Sequence, residues 1–207
     1  MSTKNTPEYQ NSHLRMNDPE QWIVRYAPLI AHNGHVLDLA CGGGRHTRLL
    51  LDQGYKVTAI DRDIDAISER LVKLGKQGTH DNLTIIEADL ETGDDPWGVI
   101  LSDQQFDGIV VVNYLYRPLF SHLAEALKPG GVLLYETFAM GNEEYSRPRN
   151  PDHLLKTGEL LNWASSQGLQ VVAYEHGLVN AFKSLGVKQR IAVVKSDKPG
   201  DLTNPSK

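Results

Sequence analysis

The stretch VLDLACGGGRHTRLLLDQGYKVTAID, residues 36–61, limits the fold more than any other part of the chain. A short apolar run over 36–39 leads into the turn Gly42-Gly43-Gly44. A helical segment over 45–53 follows and is closed by Gly54. A second apolar run over 56–60 ends on Asp61. Strands connected through a helix lie parallel, because an antiparallel pair needs only a hairpin.

The same alternation continues downstream. Ile64, Ile67, Leu71 and Leu74 recur at helical spacing from Asp63 to about Lys76, and Gly75 and Gly78 mark the exit. LTIIEAD reads as a third strand and FDGIVVVNYL as a fourth. Phe120, Leu123, Ala124 and Leu127 form a helical stripe, Pro129-Gly130-Gly131 a turn, and VLLYETF a fifth strand. A helix starts at Thr157, runs through Leu160, Leu161 and Ala164, and closes at Gly168. LQVVAYEHGL and QRIAVVKS then follow as strands with no helix between them, which predicts an antiparallel hairpin at one edge. Upstream, Asp18 and Pro19 are expected as N-cap and first residue of a short helix carrying Trp22, Ile23 and Tyr26, with Pro28 ending or kinking it. The fold class is therefore α/β, a mostly parallel sheet with helices on both faces. Residues 1–18 are expected to be a flexible segment and 197–207 a disordered tail.

The 207 residues suffice for one domain with a sizeable core, and the net charge of -5 does not attract phosphate backbones, so no nucleic-acid partner is expected. The polar N-terminal stretch has no apolar core of a signal peptide, and no apolar run approaches the roughly 18 residues needed to span a bilayer. With a single cysteine, Cys41, the chain reads as cytoplasmic, with no membrane partner. The eight histidines include no i, i+4 pair beside an acid, so no metal is expected. Nothing in the sequence reports an oligomeric state.

Two ligands compete for the glycine turn. A dinucleotide fingerprint, G-x-G-x-x-G, is broken by Thr47 at its third glycine position, and Asp38 would repel a pyrophosphate. A cationic ligand suits Asp38 instead. S-adenosylmethionine carries a sulfonium and an ammonium, and Ala40, Gly42 and Gly44 allow its close approach to the backbone. Asp61 ends the second strand, where an acid accepts from ribose hydroxyls; Asp89 ends the third, where it accepts from an adenine amino group.

VLDLACGGGRHTRLL, VTAID, IIEADL, FDGIVVVNYL and LKPGGVLLYETF together resemble the successive motifs of the class I S-adenosylmethionine-dependent methyltransferases. The size, the glycine turn followed by Arg45, and GYKVTAID are similar to the small bacterial tellurite-resistance type. The resemblance implies a Rossmann-like three-layer sandwich over residues 19–196, with a seven-stranded sheet in the order 3-2-1-4-5-7-6 and strand 7 antiparallel. It implies Gly42 and Gly44 at the methionyl end, Asp61 at the ribose, and Asp89 with Leu90 at the adenine. Asp38, Ala40, Arg62 and Asn113 complete the expected cofactor set. Ala40 stands where many members have glycine. The implied products are a methylated acceptor and S-adenosyl-L-homocysteine.

Methyl transfer from such a donor demands alignment and dehydration above all. A thiolate or chalcogen oxyanion needs no general base; a phenol or amine acceptor is a candidate for one. Candidates for that base are His46, Tyr114, Glu136 and His153, and the sequence does not choose among them. Cys41 reads as a small apolar turn residue. Tyr116, with Tyr114, either walls the acceptor pocket or packs under the next helix. The segment over 138–161 is expected to be a lid hinged at Gly141, with Arg147 and Arg149 selecting a small anionic acceptor. The expected activity is methyl transfer to a small molecule. The alternatives are a donor-binding regulatory protein without turnover and a methyltransferase acting on a macromolecule.

Overall fold

The computed structural model describes residues 18–73, 81–92, 96–101, 104–181 and 184–196. The expected flexible start up to residue 17, the exit around Gly75 and Gly78, and the tail over 197–207 lie outside the described residues. The elements, in chain order, are α1 (Gln21–Tyr26), β1 (His35–Leu39), α2 (Arg45–Asp52), β2 (Lys56–Asp61), α3 (Asp65–Lys73), β3 (Leu83–Glu87), α4 (Pro96–Leu101), β4 (Phe106–Val112), α5 (Phe120–Glu125), β5 (Leu127–Phe138), α6 (Glu159–Ser166), β6 (Gln170–Ala181) and β7 (Ser184–Val194).

The seven strands form one sheet in the order β3-β2-β1-β4-β5-β7-β6. β1 through β5 pair in parallel, and β7 runs antiparallel to both β5 and β6. This is the Rossmann-like arrangement that the sequence predicts. Side-chain alternation divides the core. Leu37, Leu39, Ile109, Val111, Leu133 and Tyr135 point toward Trp97, Leu123, Leu160 and Trp163, under α4, α5 and α6. Val36, Val110, Val112, Val132 and Leu134 point the other way, toward Trp22, Ile23, Leu50 and Leu51 of α1 and α2. Sheet order reverses between β1 and β4, so the crevice where such folds bind ligands opens at the carboxyl ends of these two strands.

Three details differ from the sequence reading. α1 begins at Gln21 with Glu20 as its N-cap, so Asp18 and Pro19 precede the helix. The Asp18 carbonyl is taken instead by the Arg45 guanidinium, 3.2 Å away. Pro129-Gly130-Gly131 lies inside β5, because the residue directly after β7 supplies partners there: Gly130 N–H donates to the Lys195 carbonyl (2.7 Å) and Lys195 N–H to the Gly131 carbonyl (2.9 Å). The six-residue α4 between β3 and β4 is too short to show a period in sequence. Among the described residues, no helix is long and apolar enough to cross a membrane.

Candidate active site

The turn after β1 is built from left-handed backbone. Ala40, Gly42 and Gly44 have φ of 54°, 52° and 70°. L side chains tolerate this region poorly, at about 1–2 kcal/mol per residue. Ala40 therefore carries strain that a glycine would not. The two glycines serve different ends. A Cβ on Gly44 would lie 2.6 Å from Ile67 Cγ1, so residue 44 must be small for α3 to pack. A Cβ on Gly42 would meet nothing within 4 Å. Gly42 thus borders open space, while smallness at Gly44 is required by Ile67.

Asp61 braces this turn. Its Oδ2 accepts from Gly42 N–H at 2.7 Å and its Oδ1 from Asp63 N–H at 3.1 Å. Asp38 departs from the expectation that it faces a cationic ligand. It is 1% exposed, and Thr47 Oγ1 donates to its Oδ2 at 2.5 Å. Burial pushes its pKa up to about 6, against the opposing hydrogen bonds from Thr47. Thr47, which breaks the dinucleotide pattern, is here the residue that ties α2 to β1. Burial pushes the Cys41 thiol well up, with Asp38 and Asp61 adding to the effect, in keeping with an inert turn residue.

Farther along the strand ends, Arg62 and Asp89 are exposed, and Asp89 Oδ1 accepts from Glu91 N–H (3.0 Å). Leu90 is buried in the core with Ile60 and Trp97. Tyr114 and Tyr116 are partly buried and pack on the same core. Burial and the nearby Glu91 carboxylate push the Tyr114 phenol well above its ordinary value, so it holds its proton at neutral pH. That suits a hydrogen-bond donor better than a base.

A second group of residues gathers around the ends of β5 and β7 and the start of α2. Lys188 and Glu136 are each 1% exposed, with Nζ and Oε1 2.6 Å apart. Lys188 Nζ also lies 3.5 Å from Glu20 Oε1, and Glu20 Oε1 receives Arg45 NH2 at 3.1 Å. His46 Nε2 accepts the Glu20 backbone N–H at 3.2 Å. His46 is 3% exposed, and burial with the neighbouring Arg45 and Lys188 charges lowers its pKa to about 3. It is a neutral, enclosed ring holding the start of α1. Asn113 joins this region: its φ is 57°, its N–H donates to the Glu136 carbonyl at 2.9 Å, and its Oδ1 is buried. Glu20, Arg45 and Lys188 were missed in the sequence. The available signal was charge inside each apolar strand, Glu136 in VLLYETF and Lys188 with Arg190 in GVKQRIAVV.

The segment expected as a hinged lid is fastened instead. Leu155 N–H donates to the Phe138 carbonyl and Met140 N–H to the Leu155 carbonyl, both at 2.9 Å. Asn142 is fully buried, with Nδ2 donating to the Ser146 and Pro148 carbonyls and Oδ1 accepting from Val187 N–H. Arg117 forks onto Glu159 (2.6 and 2.9 Å) and reaches the Asp152 and Leu154 carbonyls. The N–H of Gly141, the expected hinge, is held by Glu143 Oε2 at 2.8 Å. Arg147 and Arg149 are exposed, and His153 sits exposed on the same segment. Among the described residues, no group of three His, Cys, Asp or Glu side chains is placed to hold a metal ion.

The comparisons agree with this geometry. A family model described as a methyltransferase domain matches residues 36–131, from β1 through the glycines of β5. YqeM of Bacillus subtilis is 28% identical over 126 residues, which is 56% of this chain and 47% of that protein. The chain thus spans about half the length of that curated relative. Among solved structures, TehB of Haemophilus influenzae superposes with a TM-score of 0.69 at 19% identity, over 91% of this chain and 66% of the other. The 1,6-didemethyltoxoflavin-N1-methyltransferase of Burkholderia thailandensis, solved with 1,6-didemethyltoxoflavin and S-adenosylhomocysteine, superposes with a TM-score of 0.58 at 17% identity, over 95% and 93%.

Proposed function

We propose that this chain is a class I S-adenosylmethionine-dependent methyltransferase, supported by the methyltransferase-domain match and the fold, and that it methylates a small molecule in the cytoplasm, with residues 19–196 as the working domain. The carrying observation is the open space over Gly42 at the switch point between β1 and β4, in a turn braced by Asp61. The residues there fit S-adenosylmethionine. When bound, it supplies a methyl group already activated on a sulfonium. Gly42 and Ala40 admit its methionyl portion to the backbone. Asp61 keeps lone pairs for ribose hydroxyls beyond the two N–H bonds it already accepts. Asp89, Leu90 and Arg62 flank the adenine side, and Asn113 the methionyl side. Asp38 acts from beneath, by fixing the start of α2 through Thr47.

The chain's task is to align the acceptor and exclude water. Tyr114 and Tyr116 offer walls for a small acceptor beside Asn113. A small-molecule acceptor is supported by the net charge of -5, which gives no steering toward nucleic acid, and by the Burkholderia neighbour with its heterocyclic ligand. The exposed Arg147 and Arg149 support an anionic acceptor only weakly, since each lies on the outer part of its loop. The tellurite-resistance type rests on the fold likeness to TehB.

Calorimetry with S-adenosylhomocysteine tests the donor site, and a mass-spectrometric scan of cell extract incubated with S-adenosylmethionine tests turnover. Binding of the product and a new methylated metabolite are expected. Absence of binding by both nucleotides would overturn the reading.

A further inference from the structure

Asp38 is a buried carboxylate whose neighbours supply hydrogen bonds but no counter-ion. The turn over 40–44 arches from the end of β1 to the start of α2, and the Thr47 hydroxyl, bonded to Asp38 Oδ2, closes the base of that arch. Gly42 and its open space lie on the same short arch. The flanking strands offer Asp38 nothing charged, since its partners in the ladder are Ala59 of β2 and Val110 of β4. From α2, Thr47 faces it, while the Arg45 guanidinium acts from a distance and is engaged by the Asp18 carbonyl and Glu20. From the end of β2, the Asp61 carboxylate adds a like charge. The neighbouring Cys41 thiol keeps its proton. Among the described residues, no ion pair reaches Asp38.

A carboxyl enclosed in this way holds a proton where an exposed one has lost it. Burial brings its pKa to about 6, with Asp61 adding to the effect and Thr47 and Arg45 opposing it. What the arch lacks is a positive charge. S-adenosylmethionine and S-adenosylhomocysteine share their ammonium, carboxylate and adenosine, and differ by one methyl group and the positive charge on sulfur. A unit positive charge seated on the arch, screened less than in water, favours ionised Asp38. A neutral sulfide does not.

We infer that Asp38 is a specificity-determining residue that favours the donor over the spent product by exchanging a proton with solvent. The empty site keeps that proton on the Asp38 carboxyl. Seating of the sulfonium expels it to water, and the carboxyl takes one back from water once the methyl group has left and the sulfur is neutral. The inference rests on the reading that the turn holds S-adenosylmethionine. Donor affinity is then full above the pH at which the empty site loses its proton, and falls as pH drops through it; product affinity follows no such course.

Calorimetry tests this on the full chain with no acceptor present. Titrations in buffers of different ionisation enthalpy count the protons exchanged with each nucleotide. At pH 6, S-adenosylmethionine should release about half a proton more than S-adenosylhomocysteine, as expected of a group half protonated in the empty site. Between pH 7 and pH 5, the preference for donor over product should fall about tenfold. Asp38→Asn keeps an acceptor for the Thr47 hydroxyl but cannot titrate, and should abolish both effects. Thr47→Val removes a bond that favours the ionised form, so the fall in preference should be centred at higher pH. Equal proton counts for the two nucleotides overturn the inference. So does a difference that survives Asp38→Asn, which would assign the proton to Asp61 or another group. If Asp38→Asn does not fold, Thr47→Val decides: an unmoved midpoint overturns the inference. If wild-type chain binds neither nucleotide, the functional reading falls and the inference with it; if it binds both with equal counts, only the inference falls.

Discussion

Lys188→Met isolates the energetics of the buried charge cluster. Lys188 and Glu136 are each 1% exposed, and their Nζ–Oε1 contact is 2.6 Å. After the substitution, Glu136 keeps only Arg190 at 3.9 Å, a cation already bound to Glu175. Breaking a buried pair from one side costs about 3–5 kcal/mol, because an uncompensated charge stays behind. In a chain of this size about 1 kcal/mol moves the melting temperature by roughly 2–4 °C. The expected drop is therefore about 6–20 °C. Glu136→Leu added to Lys188→Met should recover most of the loss, since replacing both partners by apolar groups approaches neutrality. Urea denaturation followed by circular dichroism measures wild type, Lys188→Met, Glu136→Leu and the double variant, and the cycle of the four gives the coupling directly. A single variant within about 1 kcal/mol of wild type, or a double variant less stable than the single, would refute the argument that the pair is desolvated and mutually dependent.

Three further outcomes are expected. Gly44→Ala should destabilise more than Gly42→Ala in thermal denaturation. Both carry left-handed strain of about 1–2 kcal/mol, but only the first drives a methyl into Ile67; equal losses would contradict the division of labour in the turn. Asp61→Asn should weaken S-adenosylhomocysteine binding by about tenfold or more, because a charged acceptor is lost while size is kept; unchanged affinity by calorimetry removes Asp61 from the ribose. His46 stays neutral in the fold, with a pKa lowered to about 3, so its unfolded form binds protons first and it removes stability as pH falls from about 6.5 toward 3. Asp38, raised to about 6, acts oppositely: it adds stability as pH falls from about 6 to 3.8. His46→Gln should therefore gain on wild type as the buffer is taken from pH 6.5 to 4.5, by about 1 kcal/mol per pH unit, in urea titrations; a constant difference across that window would show that the ring is not buried neutral.

The succession of strands and helices and the glycine turn were legible because both rest on local patterns. Apolar runs, helical spacing and glycines report backbone conformation, whereas the sheet order was implied by the family resemblance that the motif series from VLDLACGGGR to LKPGGVLLYETF carries. Local pattern does not say which neighbour makes a residue necessary. Gly42 and Gly44 look alike in sequence, yet one borders open space and the other Ile67. Asp38 and Asp61 both end strands beside the turn, yet Asp38 is enclosed by Thr47 while Asp61 faces the turn. The loop over 138–161 read as a lid because its own composition is polar; what holds it, Arg117 on Glu159 and Val187 on Asn142, comes from elsewhere in the chain. The same holds for the charge cluster. Glu20, Arg45, Glu136 and Lys188 are spread over 168 positions, and only the sheet order brings β5 and β7 together beneath α1. A carboxylate in an apolar strand is either an error of burial or half of a pair. Lys188 shows that Glu136 is half of a pair, and its remaining oxygen is buried without a hydrogen bond.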